Sequence, residues 1–252
     1  MLNNIGVVSK NSLSYVRAIF DAYVNKQTVV LLRSADDKSR IDQMGVETVI
    51  EPKADFCWFD AAYRFDNSDE LAQISFTSGT EGDPKGVLLT HQMLSDATTR
   101  LNKVMELDAS VCEYVGVPTN FSFGLGRFRA VSAVGGRAFL PEFGFNPVEI
   151  RDMLQAGEIN SVSAVPTLWR VLLKNQSIFG VEALNLKWIE IGSQFMSGLE
   201  KSQLTEKLAS FIADPVVNIS VQSAEGNIVY VIGQVKRPGQ FVMYQPLDVM
   251  QV

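Results

Sequence analysis

The chain has 252 residues, 46% hydrophobic and 20% charged, with a formal net charge of -6. That is the composition of an ordinary globular protein, long enough for one large domain or one and a half small ones. The acidic balance, without a Lys/Arg cluster, argues against a nucleic-acid partner, and no apolar run approaches the ~18 to 20 residues that cross a bilayer.

The opening Met1-Leu-Asn-Asn-Ile-Gly lacks the basic start and apolar stretch of a signal peptide. Cys57 and Cys112 are scattered without metal spacing, so reduced core cysteines, no metal site and a cytoplasmic location are expected.

Residues 12–25 carry apolar side chains at helical spacing. Thr28 to Leu32, Val46 to Ile50 and Phe56 to Phe59 read as short strands. After the polar turn Asn67-Ser68-Asp69 comes a further strand, Leu71 to Phe76. Thr90 is placed to cap a helix from His91 to about Met105. Glu113 to Val117 reads as a strand, Gly124 to Val134 as a helix, and Gly135-Gly136 as a turn into strand Arg137 to Leu140. Asn146-Pro147 opens a helix to about Ala156. Strand Ser161 to Val165, helix Pro166 to Lys174, strand Lys187 to Gly192 and a helix from Ser197 or Gly198 follow. The alternation predicts a layered α/β fold with a largely parallel sheet.

The most informative stretch is Thr77-Ser78-Gly79-Thr80-Glu81-Gly82-Asp83-Pro84-Lys85-Gly86, directly after the strand at Phe76. Glycines turn backbone N–H groups toward an anion, hydroxyls add donors, and an ammonium group supplies a point charge for phosphate. The Walker A spacing fails because Lys85 follows Pro84 and precedes Gly86, and the dinucleotide fingerprint fails on the spacing of Gly79, Gly82 and Gly86. The competing reading is a Gly-rich turn between two strands.

This loop resembles the signature loop of adenylate-forming enzymes, the acyl-CoA synthetases and their relatives. The continuation Val87-Leu88-Leu89-Thr90-His91 extends the likeness through an apolar strand to a Thr-His pair. Glu81 departs from the pattern, standing where the family often has Thr or Ser. The resemblance implies that Thr77, Ser78, Gly79, Thr80, Glu81, Gly82, Lys85 and Gly86 contact ATP, with Mg2+ as its companion. Val117-Pro118-Thr119-Asn120-Phe121-Ser122-Phe123-Gly124 is similar to the family's motif beside the acyl pocket, with Ser122 where histidine is common. Val165-Pro166 leads into a helix carrying Trp169, and Ile189 to Gln194 resembles the strand that flanks acyl chain and adenine. The implied substrate-binding residues are therefore Phe121, Ser122, Trp169, Gly192 and Ser193. The implied partners are a nucleotide and a carboxylic acid, then CoA or a carrier protein in complete relatives.

The family's Tyr-Gly-x-Thr-Glu motif, its ribose-binding aspartate and its mobile C-terminal domain with a catalytic lysine have no counterpart in the sequence. The expectation is an adenylate-forming domain over residues 1–203, truncated, that contacts ATP or AMP and does not complete adenylation alone; its catalytic residues are unknown. From about residue 204 the sequence resembles polysaccharide export proteins, through Asp214-Pro215-Val216-Val217 and Val231-Ile-Gly233-Gln-Val-Lys-Arg-Pro238-Gly239. That likeness implies a partial β-grasp segment over 204–252, rich in hairpins, with Ile228 to Ile232 as a strand. The compartments of the two families disagree, which points to a fusion near Leu199 to Glu206. A non-enzymatic export fragment is the alternative function.

Single residues complete the reading. His91, the one histidine, is expected at a helix start beside the loop. Trp169 and Trp188 also fit core positions. Arg127 and Arg129 read as surface charges, and Asp96, Glu113 and Glu142 have no evident partner.

Overall fold

A computed structural model describes residues 4–76, 86–174 and 185–192, four positions between 199 and 206, and the segments 228–231 and 239–242. Two compact units divide the chain, Met1–Asn218 and Ile219–Val252.

The first unit opens with β1 (Asn4–Val8), α1 (Leu13–Val24), β2 (Thr28–Leu32), α2 (Lys38–Gln43), β3 (Val46–Ile50), β4 (Cys57–Phe59), β5 (Leu71–Phe76) and β6 (Gly86–Thr90). It continues with α3 (His91–Met105), β7 (Cys112–Val115), α4 (Ser122–Val134), β8 (Arg137–Leu140), α5 (Pro147–Gln155), β9 (Ser161–Ala164), α6 (Pro166–Lys174) and β10 (Trp188–Ile191). The strands form two five-stranded sheets rather than one, in the orders β3-β1-β2-β5-β6 and β10-β9-β7-β8-β4. Within these two sheets all described pairings are parallel except β5 with β6 and β4 with β8. The expected α/β class with largely parallel pairing therefore holds.

Local chemistry accounts for the helix starts. The Ser12 hydroxyl accepts the Tyr15 amide, Thr90 accepts from Met93, and Asn146 accepts from Val148 and Glu149 ahead of a first-turn proline. Val16, Ile19, Phe20 and Tyr23 then lie on one face of α1 and are buried. The largest core draws on both sheets, joining Ile5, Val7 and Val29 to Val115, Ala138 and Leu140 through α1 and α4. A second core lies on the opposite face of the second sheet, where Ile150, Leu154 and Trp169 pack on Tyr114 and Val162.

Two elements were not foreseen. Strand β1 begins with a buried asparagine and carries Gly6, so it lacks an apolar run. It nonetheless lies inside its sheet, paired on both sides, and a Cβ at Gly6 would come within 2.5 Å of Leu32 Cδ1, so any larger residue would force the Leu32 side chain to move. Helix α2 buries no residue and so has no apolar period; Asp37, at its start, instead pairs with Arg33 and Arg40. One expectation is corrected: Cys57 is exposed at a positive φ of 99° and Cys112 is half-buried, so neither is a core residue.

In the second unit, β11 (Ile228–Val231) pairs antiparallel with β12 (Gly239–Val242). The expected strand from Ile228 is present, and its described partner follows Pro238. Residues 216–221 and the helix expected from Ser197 or Gly198 fall outside the described residues, apart from isolated positions.

Candidate functional site

In sheets built from parallel strands, ligands gather outside the carboxyl ends of the strands. Here those ends are tied together. The loop after β1 and the loop after β7 meet at Thr119, which is fully buried. Its hydroxyl accepts the Ser12 amide at 3.0 Å and lies 3.2 Å from the Lys10 carbonyl oxygen, while its own amide donates to Asn11 Oδ1 at 2.8 Å.

Of the loop residues, Thr77, Ser78, Gly79, Thr80, Glu81, Gly82 and Lys85 lie outside the described residues, whereas Gly86 opens β6. The strands on either side are well defined. Antiparallel pairing of β5 with β6 brings Phe76 opposite Gly86, so residues 77–85 form the connection between two paired strands. That connection is far longer than the two-residue turns of tight hairpins. Behind it, the Tyr23 phenol donates to Gln73 Oε1, and Gln73 Nε2 donates to Ser75 Oγ at 2.6 Å. The Arg40 guanidinium lies 4.0 Å over the Phe76 ring. A chain of buried polar contacts thus reaches the last residues of β5.

His91 is the first residue of α3, as expected, and is buried with its ring 5.8 Å from that of Tyr23. Burial lowers its pKa below the ordinary value, against the opposing pull of Asp66 and Glu70. Its backbone amide donates to the Glu70 carbonyl.

The expected substrate-binding residues separate into two groups. Phe121 and Ser122 are exposed at the start of α4, and Phe121 retains 60% of its accessible surface. Gly192 follows β10, and a Cβ built on it would lie 3.3 Å from Phe123 Cζ, so the start of α4 and the end of β10 are in contact. Ser193 lies outside the described residues. Trp169 instead takes the core position: it is fully buried, and its indole N–H points to the Glu190 carbonyl at 3.4 Å.

The structure also corrects three charged residues. Arg127 is fully buried rather than a surface charge, and its guanidinium forks onto Glu113 with Nε–Oε1 at 2.8 Å and Nη2–Oε2 at 2.5 Å. Its remaining nitrogen, Nη1, forms an ion pair with Glu190. Glu113, expected to lack a partner, also lies 3.3 Å from the Ser161 hydroxyl. Arg129 is half-buried and donates to Thr98 Oγ1 at 2.9 Å, and burial lowers its pKa. For Arg127 burial works against the charge, but Glu113 and Glu190 outweigh it and raise its pKa. Burial pushes the Glu190 pKa up; Arg127 opposes this, and the neighbouring Glu113 charge adds to it. One signal for this cluster was present in the sequence: Glu190 is a lone charge inside the apolar run Trp188 to Ile191.

Residues 8–213 match the family model of the AMP-binding enzymes. The chain belongs to the AMP-binding enzyme family. The likeness is distant. It is 26% identical over 128 residues to the medium-chain-fatty-acid–CoA ligase of Ectopseudomonas oleovorans, covering 50% of this chain and 23% of that protein. It is 30% identical over 117 residues to the indigoidine synthase of Dickeya dadantii, covering 45% of this chain and 8% of that one. Among solved structures, a malonyl-CoA ligase with methylmalonyl-CoA and AMP bound superposes with a TM-score of 0.63 at 16% identity, over 82% of this chain and 49% of that one. The chain thus spans half or less of the length of each of these three proteins. The matched range runs from the last residue of β1 past β10. Among the described residues no group of three or more His, Cys, Asp or Glu side chains gathers, and no helix is long and apolar enough to cross a membrane.

Proposed function

We propose that this chain is an adenylate-forming, acyl-CoA synthetase-like protein that binds ATP through the loop from Thr77 to Gly86. The observation that carries this reading is the family match over 8–213, which contains that loop sequence between β5 and β6. Backbone amides at Gly79 and Gly82, the hydroxyls of Thr77, Ser78 and Thr80, and the Lys85 ammonium form the phosphate-binding set, with Mg2+ arriving on the nucleotide. A carboxylic acid lies against Phe121, Ser122, Gly192 and Ser193, and Trp169 supports this wall from the core.

Adenylation requires charge stabilisation at the α-phosphate as well as at the β- and γ-phosphates. The sequence motifs that supply it in complete relatives have no match here, so the 252-residue chain binds nucleotide without completing acyl transfer to CoA or a carrier protein on its own. A cytoplasmic location follows from that chemistry. Residues 1–203 form the nucleotide-binding domain in this reading. Titration calorimetry with ATP tests it: wild-type protein gives saturable heat and Lys85→Ala loses most of it, whereas equal heats from both proteins would remove the loop from the account. Pyrophosphate exchange with a panel of carboxylic acids tests the chemistry, and robust exchange by the purified chain would refute the incomplete-site reading.

The antiparallel pair β11–β12 supports a second reading for residues 204–252, as a polysaccharide-export-like segment joined to the ligase-like domain. Binding of an envelope oligosaccharide by the whole chain, abolished on deletion of 204–252, is the outcome it requires.

A further inference from the structure

Helix α4 meets strand β10 in two places. Phe123 and Arg127 are separated by four positions, so they share one helix face and stand about 6 Å apart along the axis. Gly192 is the first residue beyond β10, two positions after Glu190, and two extended residues span about 6.6 Å. The two spacings match. Arg127 forms an ion pair with Glu190, while the Phe123 ring lies on Gly192, where an added Cβ would be 3.3 Å from Cζ.

The lower contact is directional and the upper one is not. Arg127 is fixed from the other side by its two-point grip on Glu113 of β7, and Glu113 is in turn in reach of Ser161 on β9. Two strands, β7 and β10, therefore hold a single guanidinium, and β9 between them supports Glu113 through Ser161, in a geometry that a planar fork imposes and an apolar residue lacks. A slide of α4 along β10 by one residue would break those bonds inside the core, where an unpaired charge is strongly disfavoured. The Phe123–Gly192 contact, by itself, has no such registration.

We propose that Arg127, through Glu190 and Glu113, is a positioning residue that sets the register of α4 on β10 and thereby fixes the Phe123 ring over Gly192, determining which carboxylic acids the wall admits. The assignment of that wall to an acid rests on the proposed function above. The register itself does not.

Two measurements on the whole chain separate these claims. In a double-mutant cycle by urea denaturation, Glu190→Gln and Phe123→Leu, which lie on different elements and do not share the ion pair, are combined. The register key requires clearly non-additive midpoint shifts, and additive shifts overturn it. Separately, hexanoate and dodecanoate are titrated in the presence of ATP against wild type and Arg127→Lys, with circular dichroism confirming that the variant is folded. The expected result for Arg127→Lys is at least a tenfold loss of discrimination between the two acids, with ATP titration retained. Unchanged discrimination in a folded Arg127→Lys protein refutes the specificity role while leaving nucleotide binding intact. Failure of wild type to bind ATP or either acid refutes the proposed function and the specificity role with it, and the denaturation cycle still judges the register.

Discussion

Ser12 and Thr119, 107 positions apart, share one buried hydrogen bond: the Ser12 amide donates to Thr119 Oγ1 at 3.0 Å. Ser12 caps α1 of the first sheet, and Thr119 belongs to the loop that enters α4 beside the second. This bond therefore ties together the carboxyl ends of strands in two sheets.

Removing the hydroxyl should be costly. Thr119→Ala leaves the Ser12 amide unpaired in a dry site and should destabilise the protein by about 1–3 kcal/mol. Thr119→Ser, which keeps the oxygen, should lose less than half as much. Urea midpoints of the two variants check this, and equal losses would assign the effect to packing of the methyl group.

The entry to α4 allows no side chain at position 124. A Cβ on Gly124 would lie 2.2 Å from the Pro118 carbonyl oxygen, a backbone atom that cannot swing aside. Gly124→Ala should cost about 3 kcal/mol or more and yield little folded protein. Gly126→Ala on the same helix meets only the end of the Arg129 side chain at 3.8 Å, so it should be tolerated. Thermal melts of the pair give the comparison.

Glu190 imposes a pH dependence whose sign is fixed. Its pKa is raised by burial, so the folded state holds this proton more tightly than the unfolded state. Stability from this group is full below the ordinary glutamate value and is lost as pH rises through the raised folded value. Glu190→Gln should therefore match wild type most closely at acid pH and gain relative stability toward neutral pH. Arg127→Met leaves two carboxylates facing each other and should cost about 3–5 kcal/mol at neutral pH. Denaturation curves across pH 4.5 to 7.5 (about three units, the range over which a shifted carboxyl titrates) decide between them.

His91 works in the opposite sense. Its pKa is depressed by burial, so its contribution is present above the ordinary value of 6.5 and lost as pH falls through the folded value. His91→Gln should lose stability relative to wild type at pH above that value and approach it as the solution is acidified. A difference that stays constant with pH would show that His91 binds its proton equally in the folded and unfolded states, against the effect of burial.

Local chemistry written in the chain determined much of the fold. Hydroxyl and amide caps at Ser12, Thr90 and Asn146, apolar periodicity in α1 and α3, and β-branched runs such as Thr28–Leu32 each act within a few residues, so their elements were legible in order. The sequence from Thr77 to Gly86 stands out for the same reason, since its glycines, hydroxyls and lysine are contiguous, while residues 77–85 lie outside the described residues. Tertiary structure alone decided the rest. Strand β1 owes its interior place to the space between Leu32 and Val46, and α2 owes its start to charges that gather at Asp37. Arg127 and Glu190 read as unrelated charges because their pairing depends on the α4–β10 approach across 63 positions, and Thr119 meets Ser12 only when both sheets are in place. Burial and charge pairing are properties of neighbours in space, and no local pattern of residues encodes which distant neighbours those will be.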